Sequence, residues 1–268
     1  MRRLFPWLLI ACACISDCAA PCLAAAGIPK LHRVLLVSID GLRPDLLLRA
    51  DTPVLHALMR RGSFTMWAQT TAVSVTLPSH VSMLTGVPPS MHGIEWNSDL
   101  PLKHPIYPAT PTLFELASAA GLSTAMVAGK SKFVALSKPG TLRWASVPGK
   151  GTITDDAVAD TASRLIDAYA PQVLFVHLPG VDTAGHKYGW GSDEQLAAIA
   201  TADRCLGRIL DALARSQRLD STCVLVSADH GGAGRTHGPD DPRSRNIPWI
   251  IAGPGIRRNF DLTTVGDL

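Results

Sequence analysis

Past its first 26 residues the chain breaks into alternating apolar segments of two kinds. From His32 to Asp40 the apolar positions are nearly continuous (Val34, Leu35, Leu36, Val37 and Ile39). A run of this kind suits a parallel strand covered on both faces. Val173 to Leu178 and Cys223 to Ala228 repeat the pattern, and Ile247 to Ala252 does so before Gly253-Pro254-Gly255. Helical signals run from Thr52 to Arg61 and stop at Gly62, while Asp193 to Gln217 sets Leu196, Ile199, Leu206, Ile209, Leu210 and Leu213 at helical spacing. Strands alternating with amphipathic helices predict an α/β domain, a mostly parallel central sheet sandwiched between helices. Asp261 to Leu268 reads as the start of one more helix, which the chain does not complete.

The first 26 residues follow another logic. Arg2 and Arg3 precede an apolar stretch from Leu4 to about Ile15, and small residues lead to Ala24-Ala25-Ala26. This is the pattern of a secretory signal peptide over residues 1–26, leaving 27–268 as one domain expected to be exported to the periplasm or the medium. The stretch is shorter than the roughly 20 residues of a spanning helix, so the mature chain is expected to have no membrane span. Leu9-Ile10-Ala11-Cys12 offers a lipid-anchored alternative. Four of the six cysteines lie in this leader, and the pairing of Cys205 with Cys223 stays open.

Composition adds two limits. At 47% hydrophobic the chain can bury a sizeable core, and a formal charge of +3 without any basic run gives no footprint for a nucleic-acid polymer. A small anionic substrate remains compatible with that charge.

The candidate chemistry sits at the C-terminal ends of the predicted strands or just beyond, where open α/β sheets place their sites. Asp40 ends the first strand, Asp182 and His186 follow the second, Asp229 and His230 end the third, and His237 comes seven residues later. Three carboxylates and three imidazoles form a mixed oxygen and nitrogen donor set that suits Zn²⁺, with Mn²⁺ or Fe as alternatives. Six donors are too many for one tetrahedral ion and suit two, the arrangement that clamps attacking and leaving oxygens in an in-line displacement. Taken singly, an Asp at a strand end is usually a cap and a lone His a hydrogen-bonded structural residue; the joint pattern is what carries information.

That pattern resembles the alkaline phosphatase superfamily, and within it the type I phosphodiesterase/nucleotide pyrophosphatase branch. The segments that match are Val37-Ser-Ile-Asp-Gly-Leu-Arg-Pro-Asp45, Thr76-Leu-Pro-Ser-His80, His92-Gly-Ile-Glu-Trp-Asn97, Asp182-Thr-Ala-Gly-His186, Ala228-Asp-His-Gly-Gly232 and Thr236-His-Gly238. The resemblance implies an alkaline phosphatase-like fold and a phosphoric ester hydrolase holding two divalent metal ions, with Zn²⁺ expected. It assigns one ion to Asp182, His186 and His237, and the other to Asp40, Asp229 and His230 with the Thr76 hydroxyl. Thr76 is then the nucleophile and forms a phosphothreonine intermediate, and Asn97 binds a phosphoryl oxygen. The expected partner is a small-molecule phosphoester. Thr76 could instead be only a helix cap, and Asn97 only a turn residue. Lys130 and Lys132 are candidates for contacting a substrate anion, whereas His80, His92 and His177 read as structural.

Departures from the branch bear on specificity. Ser79 stands where asparagine is usual, Trp190 replaces a common proline, and only six residues separate His230 from His237 where a long insertion is usual. Thr76-Leu-Pro-Ser-His80 lacks both the modifiable Cys or Ser and the arginine of the related sulfatases' motif, which argues against a sulfatase. The competing readings are a phosphonoacetate hydrolase-like enzyme cleaving a C–P bond and an inactive metal-binding scaffold.

Overall fold

The computed structural model describes residues 30–98 and 106–264. The proposed leader, its cysteines and the lipid-anchor site at Cys12 lie outside the described residues. Among the described residues eight strands form one sheet: β1 Arg33–Ile39, β2 Ser63–Gln69, β3 Thr124–Ala128, β4 Trp144–Ser146, β5 Val173–Leu178, β6 Thr222–Ser227, β7 Asn246–Ala252 and β8 Phe260–Asp261. Their spatial order is β4-β3-β5-β1-β6-β7-β2-β8. The pairs from β4 through β6 are parallel, and β7 alone runs against its neighbours β6 and β2. The predicted last strand is therefore present but reversed. Among the described residues nine helices accompany the sheet: α1 Pro44–Arg49, α2 Pro53–Arg61, α3 Thr76–Thr85, α4 Pro89–His92, α5 Leu113–Ala119, α6 Asp155–Tyr169, α7 Gly180–Tyr188, α8 Asp193–Arg215 and α9 Pro242–Arg245.

The period-2 alternation of strand side chains builds two cores on the two faces. On one face Leu35, Val37 and Ile39 of β1 pack with Leu55 of α2, Ile166 of α6 and Ile199, Leu206 and Ile209 of α8. On the other, Leu36 of β1 and Phe175 of β5 meet Leu77, Val81 and Leu84 of α3 and Phe114 of α5. The continuous apolar runs follow from this double covering. Asp203, fully buried on α8, accepts from the N–H groups of Val54 and Leu55 and so anchors the start of α2.

Instead of starting a helix, Phe260 and Asp261 pair with β2, and Leu262–Thr264 forms a single 3₁₀ turn. The rest of that predicted element lies outside the described residues. Cys205 on α8 and Cys223 on β6 are both free thiols. Among the described residues no helix is long and apolar enough to cross a membrane.

Candidate metal centre and nucleophile

Four consecutive strands of the sheet, β3, β5, β1 and β6, deliver polar residues from their C-terminal ends. Adjacent strands lie about 4.8 Å apart, so groups leaving neighbouring ends meet within a side-chain length. Asp40 follows β1 and Asp229 and His230 follow β6. Asp182 and His186 sit on α7, which starts two residues after β5, four apart on one helical face. The short connection after β6 doubles back through paired Ala233 and Thr236 and returns His237 to the same place. The six donors fall into two groups. Asp182, His186 and His237 form one, and Asp40, Asp229 and His230 the other, with the ligand atoms of each lying within 4.8 Å of one another.

The hydrogen bonds show why these atoms suit cations. Each of the three histidines directs Nδ1–H at a backbone carbonyl: His186 at Arg235 (3.0 Å), His230 at Gly231 (2.8 Å) and His237 at Ser74 (2.9 Å). That leaves each Nε2 with a lone pair turned inward, the tautomer a metal requires. The carboxylates match them. Asp40 Oδ1, Asp182 Oδ1 and Asp229 Oδ2 are buried and accept no hydrogen bond. They lie 3.2–3.6 Å from the inward nitrogens: Asp182 Oδ1 from His186 and His237, Asp40 Oδ1 and Asp229 Oδ2 from His230. A buried carboxylate oxygen without a donor is costly, and a divalent cation at each cluster would satisfy it. The donor set therefore fits two such ions.

The other carboxylate oxygens are held by protein. The Lys130 ammonium donates to Asp40 Oδ2 and Asp182 Oδ2, both at 2.6 Å, and so bridges the two clusters. The expectation that Lys130 reaches a substrate meets a different placement: it is buried in the wall of the centre. His177 receives the Gly129 N–H on Nδ1 (3.2 Å), so its proton is on Nε2 and is donated to Asp40 Oδ2 at 2.8 Å. His80 directs Nδ1–H at the Thr76 carbonyl (2.7 Å), with Asp229 Oδ2 at 3.3 Å, and accepts from Ser38 on Nε2. Both histidines read as structural in the sequence. Their link to the carboxylates is invisible there because it spans 137 residues for His177–Asp40 and 149 for His80–Asp229.

Crowding of charge appears in the proton affinities. Burial, then the neighbouring Asp40, push Asp229 well above the usual carboxylate range. Burial also opposes ionisation of Asp40 and Asp182. Lys130 overrules it, with His177 for Asp40 and His186 for Asp182, and holds Asp40 well below the normal value and Asp182 at about 2. Desolvation drops His230 to about 4, which keeps its Nε2 lone pair free at neutral pH.

Thr76 is the first residue of α3, and its hydroxyl lies 3.3 Å from His230 Nε2. Val75 occupies the cap position and no side chain caps the helix, so Thr76 does not act as a cap. The next N–H, of Leu77, is taken by Asn97 Oδ1 at 2.9 Å. Lys132 donates to the Asn97 carbonyl (2.6 Å) and to the same Oδ1 (3.2 Å). Two donors on Oδ1 settle the orientation of the amide and leave Nδ2 as its donor side. Lys132 thus holds Asn97 rather than standing alone in a loop. Ser74, buried with φ +48°, presents its carbonyl to His237 and ties the approach to Thr76 to the other cluster. The His230 and His237 rings stack 3.6 Å apart between the clusters.

Comparison with known proteins places this arrangement. Mouse (Mus musculus) ectonucleotide pyrophosphatase/phosphodiesterase family member 7 is 24% identical over 245 residues, covering 81% of this chain and 54% of the relative. The chain spans about half the length of the curated relatives it matches. The solved structure of murine ectonucleotide pyrophosphatase/phosphodiesterase 5 superposes with a TM-score of 0.69 at 16% identity, over 85% of this chain and 90% of that one. An inactive threonine-to-alanine variant of that murine protein, solved in complex with AMP, superposes with a TM-score of 0.62 at 20% identity, over 75% and 57% of the two chains. The fold is that of the alkaline phosphatase-like proteins. The family model for type I phosphodiesterase/nucleotide pyrophosphatase matches residues 34–241, a range that takes in β2 to β6 and all but the first residue of β1, both clusters and Thr76: the chain belongs to that family.

Proposed function

We propose that the protein is an exported phosphoric ester hydrolase of phosphodiesterase type, in which two divalent ions, Zn²⁺ foremost, assist attack by Thr76. The observation that carries this reading is the set of three donor-free buried carboxylate oxygens facing three Nε2 lone pairs beside one threonine hydroxyl. Asp182, His186 and His237 would hold one ion, and Asp40, Asp229 and His230 the other. When bound, the ions would supply Lewis acidity that lowers the pKa of the threonine hydroxyl and neutralises charge on the phosphoryl group.

The chain's own groups do the rest. Thr76 Oγ1 gives up its proton to solvent and forms a bond to phosphorus as the bond to the leaving oxygen breaks, and that oxygen keeps the electron pair. Asn97 Nδ2 donates to a non-bridging oxygen, where negative charge grows in the transition state. Water then cleaves the phosphothreonine ester and restores the hydroxyl. The leader pattern and the ectoenzyme names of the relatives support export. An AMP complex of a structural neighbour supports a small nucleotide-like substrate, although the short His230–His237 connection makes this pocket its own.

Both lysines that kept the phosphonate reading open are engaged by Asp40, Asp182 and Asn97, which favours the ester. Thr76→Ala, loaded with Zn²⁺ and offered an aryl phosphodiester, should lose nearly all turnover while keeping two ions per chain. Turnover at the wild-type rate would remove Thr76 from the chemistry, and absence of any chelator-sensitive rate in the wild type would favour the scaffold reading.

A further inference from the structure

Trp190 lies two residues past the end of α7. The residue is 9% exposed, and its indole lies among three glycines from three different segments. A Cβ built on Gly185 would stand 2.8 Å from the indole, one on Gly232 2.4 Å, and one on Gly41 3.2 Å. Each of these glycines adjoins a donor segment: Gly41 follows Asp40, Gly185 precedes His186, and Gly232 lies between His230 and His237. The indole N–H donates to the Gly41 carbonyl at 2.9 Å, and the Trp190 backbone N–H donates to the Gly234 carbonyl at 2.7 Å. The ring meets His186 edge-on with centroids 5.3 Å apart, and His237 at 5.9 Å. One rigid side chain therefore sets the separation of the β1 turn, α7 and the connection that returns His237.

We infer that Trp190 is a positioning residue for the cation held by Asp182, His186 and His237, which rests on the assignment of that cluster as a metal site. His186 and His237 arrive from different segments, and on the Nδ1 side each ring is oriented by a hydrogen bond to a backbone carbonyl. Packing against the indole supplies the remaining constraint. Without it the two Nε2 atoms would no longer be held at a common point, while Asp40, Asp229 and His230, fully buried and braced by His177 and His80, would keep their arrangement.

Calorimetric titration of the metal-free protein with Zn²⁺ tests this, with far-UV circular dichroism as the fold control. The wild type should take up two ions. Trp190→Ala should bind one of them 10- to 100-fold more weakly, the range for loss of groups that orient metal ligands, and the other within about twofold of wild type. In a His237→Ala background, which already lacks the weaker site, Trp190→Ala should add no further loss. Trp190→Phe keeps an aromatic wedge without the N–H and should recover part of the affinity; if Trp190→Ala does not fold, this variant decides. Unchanged affinity at both sites, or equal weakening of both, overturns the role of Trp190. Failure of the wild type to bind two ions would instead overturn the metal assignment itself.

Discussion

Asn97 shows how a residue's role depends on what binds its other end. Its Oδ1 is occupied by the Leu77 N–H and by Lys132, so the amide cannot rotate without losing both. A donor held in place before charge develops needs no reorganisation during the reaction. Asn97→Ala should therefore lower kcat on an aryl phosphodiester by roughly 10²–10³-fold, about 3 kcal/mol of transition-state stabilisation, with zinc content unchanged. A loss of less than tenfold would leave Asn97 as only a brace for α3. The type and spacing of Thr76 and Asn97 are legible in the chain because the pair belongs to short motifs. The partnership with Lys132 is not, since a lysine in Gly129-Lys-Ser-Lys-Phe133 looks like any solvated loop residue.

At the scale of elements, α7 carries two of the six donors, and its start is held by a carboxylate from another helix. Asp155, in the first turn of α6, accepts the Gly180 N–H at 2.8 Å and is almost fully buried. Burial raises it from 3.8 to about 7. Because the folded-state value lies above the unfolded one, its contribution to stability is complete below about pH 3.8, falls as the pH rises, and is lost beyond about pH 7. Asp155→Asn retains an Oδ1 acceptor and cannot ionise. Thermal melts at fixed metal load should show the variant gaining on the wild type as the pH rises from 4 to 7.5; parallel curves for the two proteins would show that Asp155 stays ionised in the fold. Periodicity made β1, β5, β6, α2 and α8 readable. It did not announce α7, whose Gly-Val-Asp-Thr-Ala-Gly-His sequence lacks an amphipathic stripe because one face is spent on ligands and two glycines make room for neighbours.

At the scale of the whole molecule, the sheet order turns remote segments into one site. Asp40, Asp182 and Asp229 bring three carboxyl groups together, and the Lys130 ammonium bridges two of them. The raised proton affinity of Asp229 marks what remains uncompensated. Two bound ions should stabilise the native state substantially: at a free concentration a thousandfold above Kd, each contributes about 4 kcal/mol. Removing them with a chelator at neutral pH should lower Tm by on the order of ten degrees or more, with recovery on adding Zn²⁺. An unchanged Tm would mean that the carboxylates are neutralised by protons and not by metal.

The linear order of residues determined the fold class, because continuous apolar runs alternating with amphipathic helices can be buried only as a covered, mainly parallel sheet. It also determined the candidate donor types and put Thr76 forward as the candidate nucleophile, which short motifs carry intact. What each donor's second atom touches was decided only in three dimensions. Lys130 between the clusters, His177 behind Asp40, Trp190 among three glycines and the reversed β7 all depend on which strands lie side by side. Contacts between segments more than a hundred residues apart leave no periodic trace along the chain.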